Sequence, residues 1–146
     1  MRPIDKTSPS QGESISFEFD LAHSPERVWR ALTDPVLITK WLLPTIDFRL
    51  VPDAEFVLKA DPKPGWDGTV KCRMLEIELL KKISWRWIVG DIDTIVTFTL
   101  APTESGTCLS LVQSGFNPDQ TKNFAGARYG WNMMGAKLVD LLARLP

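Results

Sequence analysis

Few side chains in this sequence are equipped for chemistry, and their spacing limits what they can do. His23 is the only histidine and the first place to look for a general base. It lies in Ala22-His23-Ser24-Pro25, a turn between two patterned segments, where a solvated imidazole is the simpler reading. No Ser/His/Asp set can be built without it, and no Cys–His pair is evident. Cys72 and Cys108 form no CxxC pattern, so neither a zinc nor a redox site is indicated. Both fall in apolar strand-like segments and read as buried free thiols. Asp91 and Asp93 bracket Ile92 in a tight turn, where carboxylates are solvated by default. Glu76 and Glu78 share one strand face, taken as the outer one. Arg49, Arg73 and Arg86 could point inward only at the cost of unpaired burial. The sequence therefore offers little for catalysis, and no metal or cofactor is expected.

The aromatic residues are the richer signal. In Lys82–Val89, Ile83, Trp85, Trp87 and Val89 share one face. Each inward tryptophan would bury about 150–250 Å². The plain reading is that both fill the core. The functional reading is that they line a pocket wall, with their N–H groups free to orient a polar ligand atom. Trp66 sits in Pro64-Gly65-Trp66-Asp67-Gly68, where a large aromatic either closes a cavity mouth or anchors its loop in the core rim. Trp131 and Met134 belong to a C-terminal helical stripe, and a thioether suits an adaptable wall. Gly130 and Gly135 either make room for a ligand or permit close helix–sheet packing. Trp41, Phe48, Phe56, Met74, Phe98 and Phe116 complete the candidate ligand-binding set.

These side chains must be positioned by a mostly β architecture. Residues 1–13 are polar, with Pro3, Pro9 and Gly12, and read as a flexible tail ahead of one domain over 14–146. Ser14–Leu21 alternates strictly, with Ile15, Phe17, Phe19 and Leu21 on one face. Ser24-Pro25-Glu26 starts a short helix, and Asp34-Pro35 starts a second that runs to about Trp41. Strands follow over about 45–51, 54–60, 69–79, 82–89, 94–101 and 107–116, joined by short turns. Strands joined so closely must be antiparallel, which argues against a parallel nucleotide-binding sheet. Asn117-Pro118-Asp119 has the look of a helix cap. The final helix is clear from Arg128, where Trp131, Met134, Leu138, Leu141 and Leu145 form one stripe. A sheet of seven strands is roughly 29 Å wide at about 4.8 Å per strand. One helix covers only about 10–12 Å. Either the sheet curls tightly or an apolar space remains, and such a space is how a small-molecule site is built.

Composition narrows the partners. The chain has 146 residues, 44% of them hydrophobic, enough for one real core. Its net charge is −1 and it has no run of basic residues, so nucleic-acid binding is disfavoured. No segment has the length of a membrane span, and Met1 to Glu13 lacks the apolar stretch of a signal peptide. With unpaired thiols, the expected location is the cytoplasm.

One stretch, Ala22 to Leu42, resembles a known family. Val28, Trp29, Ala31, Leu32, Thr33, Asp34, Pro35 and Trp41 match the opening of the START-like (SRPBCC) superfamily, in its heat-shock-protein-90 ATPase activator homologue branch. Gly68, Trp87, Gly106-Thr107, Gly115-Phe116 and Gly130-Trp131 extend the likeness over about residues 14–145. Gln113 stands where the family often carries His, and Leu79-Leu80-Lys81-Lys82 replaces its usual Pro-Pro-Glu-Arg-type turn. The resemblance implies an α+β helix-grip (Bet v 1-like) fold: a curved antiparallel sheet of six or seven strands around a long C-terminal helix, with a cavity between. Relatives of that superfamily bind lipids, sterols and polyketides; with the sheet–helix mismatch and the aromatic wall, the first expectation is binding of such a small hydrophobic molecule without catalysis, and the alternative that the branch implies is a co-chaperone-like protein-interaction module. A cyclase or hydrolase using the same cavity is the third reading. The partner expected first is a small apolar molecule, and after it a chaperone or other protein.

Overall fold

The computed structural model describes residues 3–8 and 13–145. Its elements are β1 (Ile4–Asp5), β2 (Ser14–Leu21), α1 (Pro25–Thr33), α2 (Pro35–Trp41), β3 (Thr45–Ile46), β4 (Glu55–Lys59), β5 (Thr69–Glu78), β6 (Lys82–Val89), β7 (Ile92–Pro102), β8 (Thr107–Ser114) and α3 (Thr121–Arg144). The strands form one eight-stranded sheet in the order β1-β2-β8-β7-β6-β5-β4-β3, antiparallel throughout. The sheet is open and curved, and with α3 and the two short helices it makes the helix-grip fold.

Local chemistry sets the boundaries. Ser24 Oγ accepts from the Arg27 N–H at 3.3 Å, and Pro25 takes the first position of α1, where its missing N–H costs nothing. Asp34 then serves both helices. Its N–H donates to the Arg30 carbonyl at 2.9 Å and ends α1, while its carboxylate accepts from the Val36 N–H at 3.0 Å and starts α2. Trp41 Nε1 donates to the Ala31 carbonyl at 2.8 Å and locks the pair together. Arg27 Nη2 donates to the carbonyls of Leu142 and Leu145, placing a cation at the negative end of α3.

Three sequence expectations change, and one strand carries an irregularity. Ile4–Asp5, read as tail, pairs with Phe17 and Glu18 of β2, and Arg128 of α3 binds the Asp5 carboxylate at 2.6 Å. Two residues with one apolar side chain carry no alternation signal; the rest of the supposed tail at 1–2 and 9–12 lies outside the described residues. The strand read over 45–51 keeps only Thr45–Ile46, because Asp47 at φ 61° turns the chain away. A bulge between Met74 and Glu76 shifts the phase of β5, so Val70, Cys72 and Met74 face inward before it and Ile77 after it. Asn117 to Gln120 is a turn closed by the Gln120 N–H on the Asn117 carbonyl at 3.0 Å, and α3 begins at Thr121 rather than near Arg128.

The core lies between the inner sheet face and the helices. Rings fill it: Trp85 stands 5.7 Å from Phe56 and 5.5 Å from Phe98, and Phe98 lies 6.1 Å from both Trp41 and Trp131. Phe48 closes the cluster 4.9 Å from Phe56. Edge-on and tilted contacts of this kind let many rings share one interior.

Candidate functional site

The position of α3 decides where the interior is full and where it is open. Its buried residues are Trp131, Gly135, Leu138 and Leu142, all in its C-terminal half and the turn before it. At Gly135 a Cβ would sit 2.9 Å from the Phe19 ring and 3.1 Å from Pro3, so helix and sheet touch there. At Gly130 the nearest atom would be the Met134 methyl at 3.7 Å, and at Gly126 nothing lies within 4 Å. The N-terminal half of α3 therefore stands off from the sheet. Of the two glycines singled out in the sequence, Gly135 serves close packing and Gly130 makes room.

Under that half of α3 lies a cavity of about 360 Å³. Trp87 and Val89 of β6, Ile92 of β7 and Gln113 of β8 form its sheet wall. Phe116 follows from the chain after β8, and Lys63 and Trp66 come from the loop before β5. Helix α3 supplies Lys122, Asn123, Gly126, Ala127, Gly130, Trp131 and Met134. The lining is mostly apolar with few polar groups, as a small-molecule pocket requires.

The walls are held rigidly. Lys63 and Trp66 exchange backbone hydrogen bonds of 2.9 and 2.8 Å across Pro64-Gly65, with Gly65 at φ 81°, as a tight turn with glycine at its third position demands. Trp66 Nε1 donates to the Thr69 carbonyl at 3.0 Å, which fixes the indole as a half-buried wall. Gly68 could carry no side chain: at φ 88° its Cβ would lie 2.1 Å from the Ala60 carbonyl oxygen.

Behind the cavity runs a buried polar chain. Trp131 Nε1 donates to Gln113 Oε1 at 2.7 Å, Gln113 Nε2 donates to Thr94 Oγ1 at 2.9 Å, and Thr94 Oγ1 donates to the Trp87 carbonyl at 2.9 Å. Indole N–H is a donor only, so it fixes which end of the Gln113 amide faces Trp131. The chain thus links the Trp131 indole to the Trp87 backbone, and the two rings meet in a tilted contact with centroids 5.4 Å apart. The Gln113 amide has one N–H and one lone pair beyond these bonds.

Of the sequence-derived candidates, Trp66, Trp87, Phe116, Trp131 and Met134 meet at the cavity. Trp41, Phe48, Phe56, Met74, Trp85 and Phe98 do not; they occupy the packed interior instead. Trp85 shows why strand alternation misled. It shares a face with Trp87, but its half of the sheet lies where rings fill the space, and its indole N–H meets no acceptor among the described residues. Sequence reasoning missed Lys63, Val89, Ile92, Lys122, Asn123, Gly126 and Ala127 as lining residues. The usable signal was Gln113, a polar residue at an inward strand position.

The remaining chemical candidates lie elsewhere. His23 stands at the β2–α1 turn, where its carbonyl accepts from Thr107 Oγ1 at 2.7 Å; partial burial and the Arg27 charge push its pKa down. Arg73 and Arg86 pair with Glu55 and Asp93 in part-exposed bridges, and Arg49 is exposed. Burial pushes the Cys72 thiol up to about 12, so it stays protonated and inert. Cys108 is only half-buried, beside Glu18 and Asp20, rather than fully buried as expected. Among the described residues, no cluster of three metal-ligating side chains exists and no helix is long and apolar enough to cross a membrane.

Comparison with known proteins places this arrangement. The family of Activator of Hsp90 ATPase homolog 1-like proteins matches residues 22–143. The crystal structure of MLL2253 from Mesorhizobium loti is 39% identical, with TM-score 0.84, over 91% of this chain and 98% of that one. CV1439 from Chromobacterium violaceum is 27% identical, with TM-score 0.70, over 89% and 97%. DynU16, from the dynemicin biosynthetic locus, shares the fold at 19% identity and TM-score 0.75, over 90% of this chain and 48% of that one. A search of proteins of curated function finds no match. The matched span, the solved relatives and the helix-grip architecture together make this chain a member of the Activator of Hsp90 ATPase homolog 1-like family within the START-like (SRPBCC) superfamily.

Proposed function

We propose that this protein binds one small, largely apolar molecule in the cavity beneath the N-terminal half of α3, and does so without catalysis. The observation that carries this reading is the gap at Gly126 and Gly130, where α3 leaves the sheet uncovered above Trp87 and Gln113. At about 30 Å³ per liquid water, the cavity has room for about a dozen non-hydrogen atoms of guest. Among the described residues its lining includes no Asp, Glu, His, Cys, Ser or Thr, so it offers no carboxylate, imidazole, thiol or hydroxyl for acid–base or covalent chemistry. The place of DynU16 in a biosynthetic locus accords with a fold that serves small molecules. The test is titration of intrinsic tryptophan fluorescence with medium-chain fatty acids, monoterpenoids and small phenols, all of a size the cavity can hold, since Trp66, Trp87 and Trp131 all line it. Saturable shifts with one of these classes support the reading. A flat response to all three, in a sample whose circular dichroism shows it folded, counts against it.

The family match favours one alternative, a protein-interaction module of the co-chaperone type. Pull-down with heat-shock protein 90, followed by an ATPase assay, distinguishes it. Stimulated ATP hydrolysis that survives filling of the cavity would favour this alternative over ligand binding.

A further inference from the structure

We infer that the cavity takes an acid: an amphipathic molecule whose apolar body fills the pocket and whose carboxylate, sulfate or phosphate lies at the mouth with Lys63 and Lys122. This rests on the reading of the cavity as a ligand site and adds the charge of its guest. Among the described residues, the only ionisable side chains in the lining are these two lysines, on two separate segments. Both are exposed, whereas Gln113 and Trp131 at the back are buried, so the ammonium groups belong to the solvent edge.

Neither lysine is ion-paired with a carboxylate among the described residues, in contrast to Arg73, Lys82, Arg86, Arg128 and Arg144. The acids nearest in sequence, Asp61, Asp67 and Asp119, are outside the lining, and the Asp67 carboxylate is engaged by the Thr69 N–H at 2.9 Å. The Lys63 backbone is fixed by its paired bonds to Trp66, and Lys122 lies in the first turn of α3. Each lysine thus springs from a defined backbone position beside the cavity while its side chain is exposed to solvent.

Desolvation fixes the orientation. An anion carried to the back of the cavity would meet one neutral amide and no cation, which is a costly burial. An anion left at the mouth stays hydrated and gains two ammonium groups, while the apolar body removes water from Trp87, Ile92, Phe116 and Met134. Exposed charge pairs are individually weak, so two of them favour an acid over the matching alcohol by about three- to tenfold. Added salt reduces that margin.

Three probes of one chain length test this: decanoate, decanol and decylammonium. Each is titrated into isotope-labelled protein at neutral pH while the Gly126 and Gly130 amides and the Trp66, Trp87 and Trp131 indole N–H resonances are followed. The same spectra show that each variant is folded. Decanoate is expected to bind tightest and decylammonium weakest, with the spread shrinking at high salt. In the double variant Lys63→Glu and Lys122→Glu the order reverses. Equal affinity for all three, unchanged in the double variant, overturns the charge assignment and leaves the cavity reading standing. If none moves these resonances, the cavity reading fails and this inference fails with it.

Discussion

The clearest prediction compares one substitution at three places along α3. Glycine inside a helix costs about 1 kcal/mol relative to alanine, so Gly126→Ala, Gly130→Ala and Gly135→Ala start with the same intrinsic gain. The surroundings then separate them. At Gly126 the new methyl meets nothing within 4 Å, and at Gly130 it makes an ordinary contact with Met134 at 3.7 Å. Both variants should gain up to about 1 kcal/mol, or roughly 2–4 °C in Tm for a chain of this size. At Gly135 the methyl would sit 2.9 Å from two carbons of the Phe19 ring, which is 2% exposed and has little room to retreat. Overpacking of that kind costs about 1–3 kcal/mol. Gly135→Ala should therefore fall about 1–3 kcal/mol below Gly126→Ala, roughly 2–12 °C in Tm. Urea unfolding followed by circular dichroism reads the difference directly. Equal stabilisation of all three variants, or a loss at Gly130 as large as that at Gly135, would refute the divided packing of α3 on which the cavity depends.

Other outcomes follow from the same geometry. Gly130→Leu should fill the cavity and abolish fluorescence shifts by apolar ligands, while far-ultraviolet circular dichroism stays native; retained binding would place the guest elsewhere. Gln113→Leu leaves the buried Trp131 N–H without its acceptor, and chemical denaturation should show a loss of about 1–3 kcal/mol. The Cys72 thiol is held near 12 by burial against an ordinary value of 9.0, so folded and unfolded states bind its proton alike at neutral pH. Above the ordinary value the unfolded thiol ionises first, and stability falls by about 1.4 kcal/mol per pH unit until the folded value is reached. Cys72→Ala should flatten that alkaline slope, and an unchanged slope would contradict the burial. A thiol reagent at mildly alkaline pH should modify half-buried Cys108 well before Cys72, which becomes reactive on unfolding.

Much of the fold could be read from local pattern. Ser14–Leu21 and Thr107–Ser114 alternate because one face of each strand is buried, and Ser24-Pro25 and Asp34-Pro35 announce helices because their side chains satisfy orphan N–H groups. The first turns of α3 were invisible, since Thr121 to Ala127 holds only Phe124 as a large apolar residue, and it packs on Phe116 rather than on the sheet. That silence had a cause: this part of the helix covers an open space and needs no apolar stripe.

The candidate site divides along the same line. Strand phase was enough to say that Trp85, Trp87 and Phe98 point inward, and helical spacing that Trp131 does, because both periodicities are properties of the backbone. Whether an inward ring meets another ring or an empty space is set by the distance between layers. Phe19 against Gly135 fixes that distance at one end of α3, and the unfilled positions at Gly126 and Gly130 leave it open at the other. The sequence determined the faces; the pose of one helix over a curved sheet, a contact between segments more than a hundred residues apart, decided which face encloses a cavity.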